Sequence, residues 1–400
     1  MQYTDTRPVV HKGDYDVCVV GGGIAGVAAA VAAARGGAKT IIIEKTVAFG
    51  GLATIGLISW YEPLCDGYGK QMIAGIPEEL LQLSIRYGFD DLSKRWKNGV
   101  REGDGSYATH YSPSVFAMAL DSYLKENGVA IRVDTLCTYP VMDGAVCRGI
   151  VAETVSGKEF FGAKVVIDAT GDASVFDRAG APCVIGENFV TALAHGFTYE
   201  HAEAFLANKN ANTMSKWFWY GSNLAGKGQG DMKLFDGTKS DDVTEYMLLT
   251  REMVFDQIKD QDKFTRDISR IPMMPDFRTI RHIVGEYAFS GEDETVVFAD
   301  SVGSCADFRS KSVFKRPKHY HIPYSCMYNS AYPNLLAAGR IVSCDREGWE
   351  ITRVIPVAAL TGEAAGTAAA IAAKDGKAVS GIDIAVLQQT LKANGVLFED

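Results

Sequence analysis

Three glycines spaced G-x-G-x-x-G, Gly21, Gly23 and Gly26, come before an acidic residue, Glu44. The separation is close to the ~20 residues that dinucleotide-binding units use. Each position has a physical task. Gly21 permits a tight turn, Gly23 lets backbone approach a pyrophosphate, and Gly26 lets a helix pack closely on a strand. A helix N-terminus beside them stabilises phosphate charge. Glu44 is placed to accept hydrogen bonds from ribose hydroxyls. The fingerprint alone does not choose between a nicotinamide and a flavin dinucleotide, and a glycine-rich turn without a ligand is the plainer alternative.

Proton transfer and anion binding have several candidates. His319 and His321, within Arg316–His321, share one face if that segment is a strand. Histidine titrates near neutrality and suits acid–base work. No acid or cysteine stands at ligand spacing beside them, so no metal site is expected. Arg278 and Arg281, with His282 adjacent, would lie on one side of a helix and could grip a carboxylate; a structural ion pair with Glu286 is the alternative. Arg346, with Glu347 and Trp349, could hold an anion and stack on a ligand, or form a solvated turn. His110-Tyr111 is a weaker place, while His195 and His201 read as structural. The run Trp217-Phe218-Trp219-Tyr220 reads as core or domain interface, or as a platform for a sugar or aromatic compound.

These residues need elements to position them. Asp16–Val20 is an apolar, β-branched run typical of a buried parallel strand. The Ala-rich stretch Val27–Arg35 predicts a helix stopped by Gly36-Gly37, and Ala38–Ile43 a second strand, which completes a β-α-β unit. Ser114–Glu126 predicts a helix, Val129–Val133 a strand, and Cys147–Thr154 with Glu159–Ala163 an antiparallel pair. Lys164–Ala169 predicts another buried strand, closed by Thr170-Gly171-Asp172. From about residue 186 the chain is more polar and aromatic, with a glycine-rich segment Gly221–Gly230 and an acidic pair Asp241-Asp242. It then returns to a strand at Asn334–Ala338, a turn at Gly339-Arg340, and a long helix Val357–Lys374 after Pro356. The expected organisation is a discontinuous nucleotide-binding domain, 1–185 and 331–400, with a substrate domain, 186–330, inserted in it.

With 400 residues, 47% hydrophobic and 22% charged, the chain suits two interleaved folded domains. A net charge of −9 gives no electrostatic reason to bind nucleic acid or an anionic membrane surface. The eight cysteines show no C-x-x-C spacing, which argues against a zinc site or a redox disulfide. The polar start lacks a secretory apolar region, and no unbroken apolar span is evident. A reducing cytoplasm is the expected compartment.

The chain resembles the FAD-dependent oxidoreductase family related to the succinate dehydrogenase and fumarate reductase flavoproteins. The resemblance rests on DVCVVGGGIAGVAAAVAAARGGAKTIIIEK (16–45), GGLATIGL (50–57), AKVVIDATGDASVFDRAGAP (163–182), RTIRHIVGEY (278–287), IPYSCM (322–327), NLLAAGRIVS (334–343) and RVIPVAALTGEAAGTAAAIA (353–372). It implies an α/β fold: a Rossmann-like FAD-binding domain of glutathione-reductase type with an inserted α+β substrate domain. The implied cofactor contacts are Gly21, Gly23, Ile24, Ala25, Gly26, Glu44, Lys45, Gly50, Gly51, Leu52, Ala53 and Thr54 in the first third of the chain. Ala169, Thr170, Gly171, Asp172, Gly339, Arg340, Arg353, Thr361 and Gly362 complete them. Between Ser343 and Arg353, where the resemblance leads one to expect a His-containing stretch, the chain has Cys344–Glu350 instead.

No second G-x-G-x-x-G unit is present for a nicotinamide nucleotide. Electrons are therefore expected to pass to or from an external donor or acceptor, or the substrate itself. The expected activity is hydride transfer between non-covalently bound FAD and a small polar metabolite: a hydroxyl/carbonyl, carboxylate-bearing or sugar-like compound. A flavin monooxygenase and a non-catalytic electron-transfer subunit are the alternatives. A homodimer is an ordinary expectation for such a chain.

Overall fold

The computed structural model describes residues 6–97, 106–221 and 230–398. The first five residues and most of the glycine-rich segment Gly221–Gly230 lie outside the described residues. The chain begins with strand β1 (Val9–Val20), helix α1 (Ile24–Arg35) and strand β2 (Thr40–Ile43). Helices α2 (Ile76–Arg86) and α3 (Pro113–Glu126) follow, then strands β3 (Ala130–Arg132), β4 (Leu136–Asp143), β5 (Val146–Thr154) and β6 (Gly157–Asp168). Next come β7 (Cys183–Ile185), β8 (Thr191–Thr198), β9 (Lys216–Gly221), α4 (Ser240–Ile258), β10 (Arg266–Arg270) and β11 (Arg281–Ile283). The final part holds β12 (Ser301–Ala306), β13 (His319–Pro323), β14 (Leu335–Ala337), α5 (Arg346–Thr352), α6 (Ile355–Asp375) and α7 (Ile384–Ala393).

The main sheet runs β3-β2-β1-β6-β5-β4, with β14 also on β6. β1 lies parallel to β2 (Val17↔Thr40) and to β6 (Val17↔Val165). The two strands expected at 159–163 and 164–169 are one continuous strand, β6. Its first half pairs antiparallel with β5 and its apolar second half pairs parallel with β14 (Leu335↔Val166). The Val165–Asp168 end is buried on both faces, which is what a continuous apolar run between parallel neighbours requires.

α1 and α6 cross against this sheet and are buried around nearly their whole circumference. Their alanines and glycines allow that approach. A side chain on Gly362 would meet the Ala25 carbonyl, and one on Gly366 the Ala29 carbonyl. α6 is long and apolar enough to cross a membrane, yet 89% of its most apolar window is buried inside the fold, so packing accounts for its composition.

Within the stretch 186–330 two small cores are separate from the main one. The sheet here is β9-β8-β10, antiparallel, covered by α4, and the two cores comprise Val190, Phe235, Tyr246, Phe277 and Ile280, and Ala192, Ala194, Phe218 and Val254. Ile283, Phe289, Val302, Cys305, Tyr320 and Ile322 instead join the main core. From Ile283 onward the buried apolar residues of this stretch therefore pack with the main core. Arg278 and Arg281 do not share a helix face: Arg278 lies in the segment leading to β11, and Arg281 is the first residue of β11, opposite Ile185.

Candidate active site

A long groove opens at the carboxyl ends of β1, β2 and β6, the position where open α/β sheets bind ligands. Gly21, with φ 102°, turns the chain out of β1 against the Ala169 carbonyl, where no side chain would fit. Gly26 packs directly over the Gly21 carbonyl. Gly23, at the N-terminus of α1, behaves differently: a Cβ there would meet nothing within 4 Å. The first turn of α1 has no side-chain cap, so its amide donors face the groove unspent.

The groove is lined by Gly21, Gly23, Ile24, Ala25, Glu44, Lys45, Gly50, Gly51, Leu52 and Ala53 from the first third of the chain, and by Ala169, Thr170, Gly171, Asp172, Gly339, Arg340 and Arg353. The other expected contacts stand behind it. Gly26 and Gly362 serve helix packing. Thr54 Oγ1 donates to Phe49 O at 2.6 Å, and Thr361 Oγ1 accepts from Gly339 N at 2.9 Å, so both shape the lining turns. Glu44 ties down its own loop, accepting from Gly22 N at 2.6 Å and Thr46 N at 2.7 Å; each carboxylate oxygen keeps a second lone pair. Burial pushes Asp172 upward, but Lys45, hydrogen bonds from Thr170 and Ser174, and Arg340 outweigh it and hold the carboxyl below its ordinary range. Arg340 is fixed by donation to Gly171 O at 2.6 Å and Phe277 O.

At one end the groove meets a side cavity of about 260 Å³. Leu52, Arg340, Arg353 and Ile355 belong to both walls. The remaining lining comes from distant segments: Trp60 and Glu62, Trp217 and Trp219 on β9, Asp276 and Arg278, and Phe308. β9 resolves the aromatic run by alternation, with Phe218 in one of the two small cores while Trp217 and Trp219 stack at 6.5 Å on the cavity side. Two carboxyls are buried there. Glu62 is raised to about 7 by burial, and Ile355 N donates to its Oε2 at 3.2 Å. Asp276 is also raised by burial, with Arg278, Arg353 and Arg340 pulling the other way; its Oδ2 lies 4.0 Å from Arg278.

Other expected catalytic residues are not brought here. His319 and His321 do lie on one strand, β13, but neither lines the groove or the cavity. His319 Nε2 pairs with Asp66 Oδ2 at 3.1 Å, and His321 is buried with its imidazole pKa lowered by that burial. Arg281 pairs with Asp177. Arg346, at the start of α5, lines a neighbouring groove that shares Arg278 with the side cavity. Trp349 is buried; its indole donates to Arg340 O at 2.6 Å and meets His282 edge-on, so it supports the Arg340 turn. Sequence reasoning missed Glu62, Trp60 and Asp276. The only signal for Glu62 was an acid set in an otherwise apolar and aromatic stretch, Ser59-Trp60-Tyr61-Glu62-Pro63-Leu64.

This parallel sheet, the bare helix N-terminus and the long glycine-lined groove define a Rossmann-like flavoprotein. The chain matches the FAD dependent oxidoreductase family over residues 16–191 and 208–391, and it belongs to that family. It is an FAD-dependent oxidoreductase in that sense. It is similar to a digeranylgeranylglycerophospholipid reductase of Methanoculleus marisnigri, 27% identical over 184 residues, which are 44% of this chain. The match spans only 43% of that relative. Among solved structures it resembles p-nitrophenol 4-monooxygenase PnpA of Pseudomonas putida DLL-E4, with a TM-score of 0.51 and 13% identity over 96% of this chain and 88% of the other. That likeness concerns the fold alone. A flavocytochrome c3 fumarate reductase gives a TM-score of 0.41 and 14% identity over 90% of this chain and 79% of the other.

Proposed function

We propose that the groove holds FAD non-covalently and that the side cavity holds a small organic substrate, between which a hydride passes. The observation that carries this reading is the shared wall. Leu52, Arg340, Arg353 and Ile355 face both spaces, so a molecule in the cavity meets the end of the groove. The glycine-lined turn at Gly21–Gly23 and the α1 N-terminus would take the pyrophosphate, with Glu44 toward the ribose. Bound FAD supplies the two-electron chemistry. The protein's task is to dock the substrate, exclude water and handle one proton.

The cavity walls say what it accepts. Trp60, Trp217, Trp219 and Phe308 offer flat apolar faces, and Arg278 offers a cation. Among the described residues Arg278 donates no hydrogen bond, and its ion pair with Asp276 is long at 4.0 Å, which leaves its donors for a ligand carboxylate. The volume is below the ~300–1,000 Å³ of pockets for drug-sized ligands. The match to the Methanoculleus relative spans only 43% of that protein, so the substrate in its name is not carried over. Seven of the eight unpaired cysteines are buried, in keeping with a reducing cytoplasm. An external acceptor or donor completes the cycle. The test is anaerobic bleaching of the flavin band by a panel of small carboxylates and alcohols. Bleaching by none, together with rapid NADPH-driven peroxide release, would point to a monooxygenase instead.

A further inference from the structure

We infer that Glu62 is the catalytic base for a compact, ring-bearing hydroxy-carboxylate bound in the side cavity. This rests on the substrate reading above and deepens it. Glu62 follows the short strand Trp60–Tyr61, which pairs with Thr109–His110 and thereby sets the carboxyl against the start of α6. It is only 9% exposed, and it lines the cavity. The donation from Ile355 N to Oε2 anchors it where groove and cavity share a wall, because Ile355 lines both.

The other titratable groups around it have different tasks. Burial raises Asp276 as well, but Arg278, Arg353 and Arg340 all draw it toward its charged form. The phenols of Tyr61 and Tyr111 face Glu62 but are spent: Tyr61 donates to Pro77 O at 2.6 Å, and Tyr111 lies 3.0 Å from both Ala53 O and Ile58 O. Arg353 is the one cation that draws Glu62 toward its charged form, and Arg353 is itself paired with Glu350. No histidine lines the cavity among the described residues. Glu62 is thus the group there able both to take and to return a proton. Burial brings its carboxyl to about 7, where acid and base forms are both populated at neutral pH.

The ring follows from the aromatic walls, the carboxylate from Arg278, and the small size from the volume. The reaction balances as follows. The alcohol's O–H bond breaks and its proton goes to the Glu62 carboxylate. The carbinol C–H bond breaks, and FAD held in the groove would take its hydride with the electron pair. The C=O bond forms, the substrate is oxidised by two electrons, and the flavin is reduced by two. In the opposite direction, protonated Glu62 returns the proton to the nascent alkoxide.

Glu62→Gln tests this, since a carboxamide oxygen still accepts from Ile355 N but the side chain cannot take a proton. The first readout needs no turnover. The infrared carbonyl stretch of a protonated carboxyl is followed by pH difference spectroscopy in the FAD-loaded protein. A band titrating near pH 7 in the wild type and absent from Glu62→Gln is expected. Its absence from the wild type, or titration in the ordinary carboxylate range, overturns the assignment. The second readout is anaerobic flavin reduction by mandelate, phenyllactate and hydroxycyclohexane carboxylates. Glu62→Gln should slow it roughly 10²–10⁴-fold and remove the pH limb near 7, with FAD affinity unchanged and a melting temperature no lower than that of the wild type at any pH. A variant that keeps the wild-type rate and limb overturns the role. If the band is present but none of these compounds bleaches the wild-type flavin, the substrate reading fails, and the catalytic role falls with it.

Discussion

Glu363 sits inside α6, fully buried, and burial lifts its carboxyl to about 8. One oxygen accepts from Ile76 N at 2.8 Å at the start of α2, and the other has no partner. The group carries its proton in the fold at neutral pH, whereas in the unfolded chain it titrates from an ordinary value of 4.5. The folded state therefore holds the proton more tightly. This contribution to stability is complete below about pH 4.5, declines as pH rises, and is lost above about 8. At ~1.36 kcal/mol per unit, the interval corresponds to a ceiling of about 5 kcal/mol between the two ends. Glu363→Gln is neutral at every pH and keeps an acceptor for Ile76 N. Thermal melting of both proteins from pH 5 to 9 should show curves that lie close together at pH 5, diverge steadily up to about pH 8 and hold that gap to pH 9, with the variant melting higher. Parallel curves, or a variant that melts lower at pH 9, would refute the reasoning.

Three further substitutions follow from the site. Gly26→Ala places a methyl on the Gly21 carbonyl and should weaken FAD binding at least tenfold in a fluorescence titration, whereas Gly381→Ala, with open space around it, should not. Arg278→Ala should raise KM for carboxylate substrates about ten- to a hundredfold, the worth of a charge-assisted hydrogen bond, and change kcat much less; equal loss in both would remove the anchoring role. His319→Ala and His321→Ala, separately or together, should leave flavin reduction within about twofold, as expected of surface and core changes away from the chemistry. A large loss in that assay would return the β13 histidines to the mechanism.

The dinucleotide half of the fold was legible because its information is local. Val17–Val20, Gly21–Gly26 and the alanines of α1 follow one another in sequence as they do in space, and each residue type has one steric purpose. The cavity was not legible. Arg278 and the run from Trp217 are candidates by residue type, but no spacing joins them to Glu62 and Phe308, which only tertiary packing brings to the same cavity. The surroundings of the β13 histidines were hidden for a related reason. Alternation along a strand shows that His319 and His321 share a face, but not which space that face overlooks. Here one is bound to Asp66 and the other buried beside the main core. The packing of β12 and β13 is no more legible: polar at their ends, they deliver Val302, Tyr320 and Ile322 to the main core.

The most direct test of the account is the absorption spectrum of the purified protein, before and after denaturation and filtration. Paired oxidised-flavin bands that pass through the filter once the chain is unfolded, and that return when FAD is added to the apoprotein, are the predicted result. A colourless protein that FAD does not reconstitute, or colour that stays with the denatured chain, would contradict it.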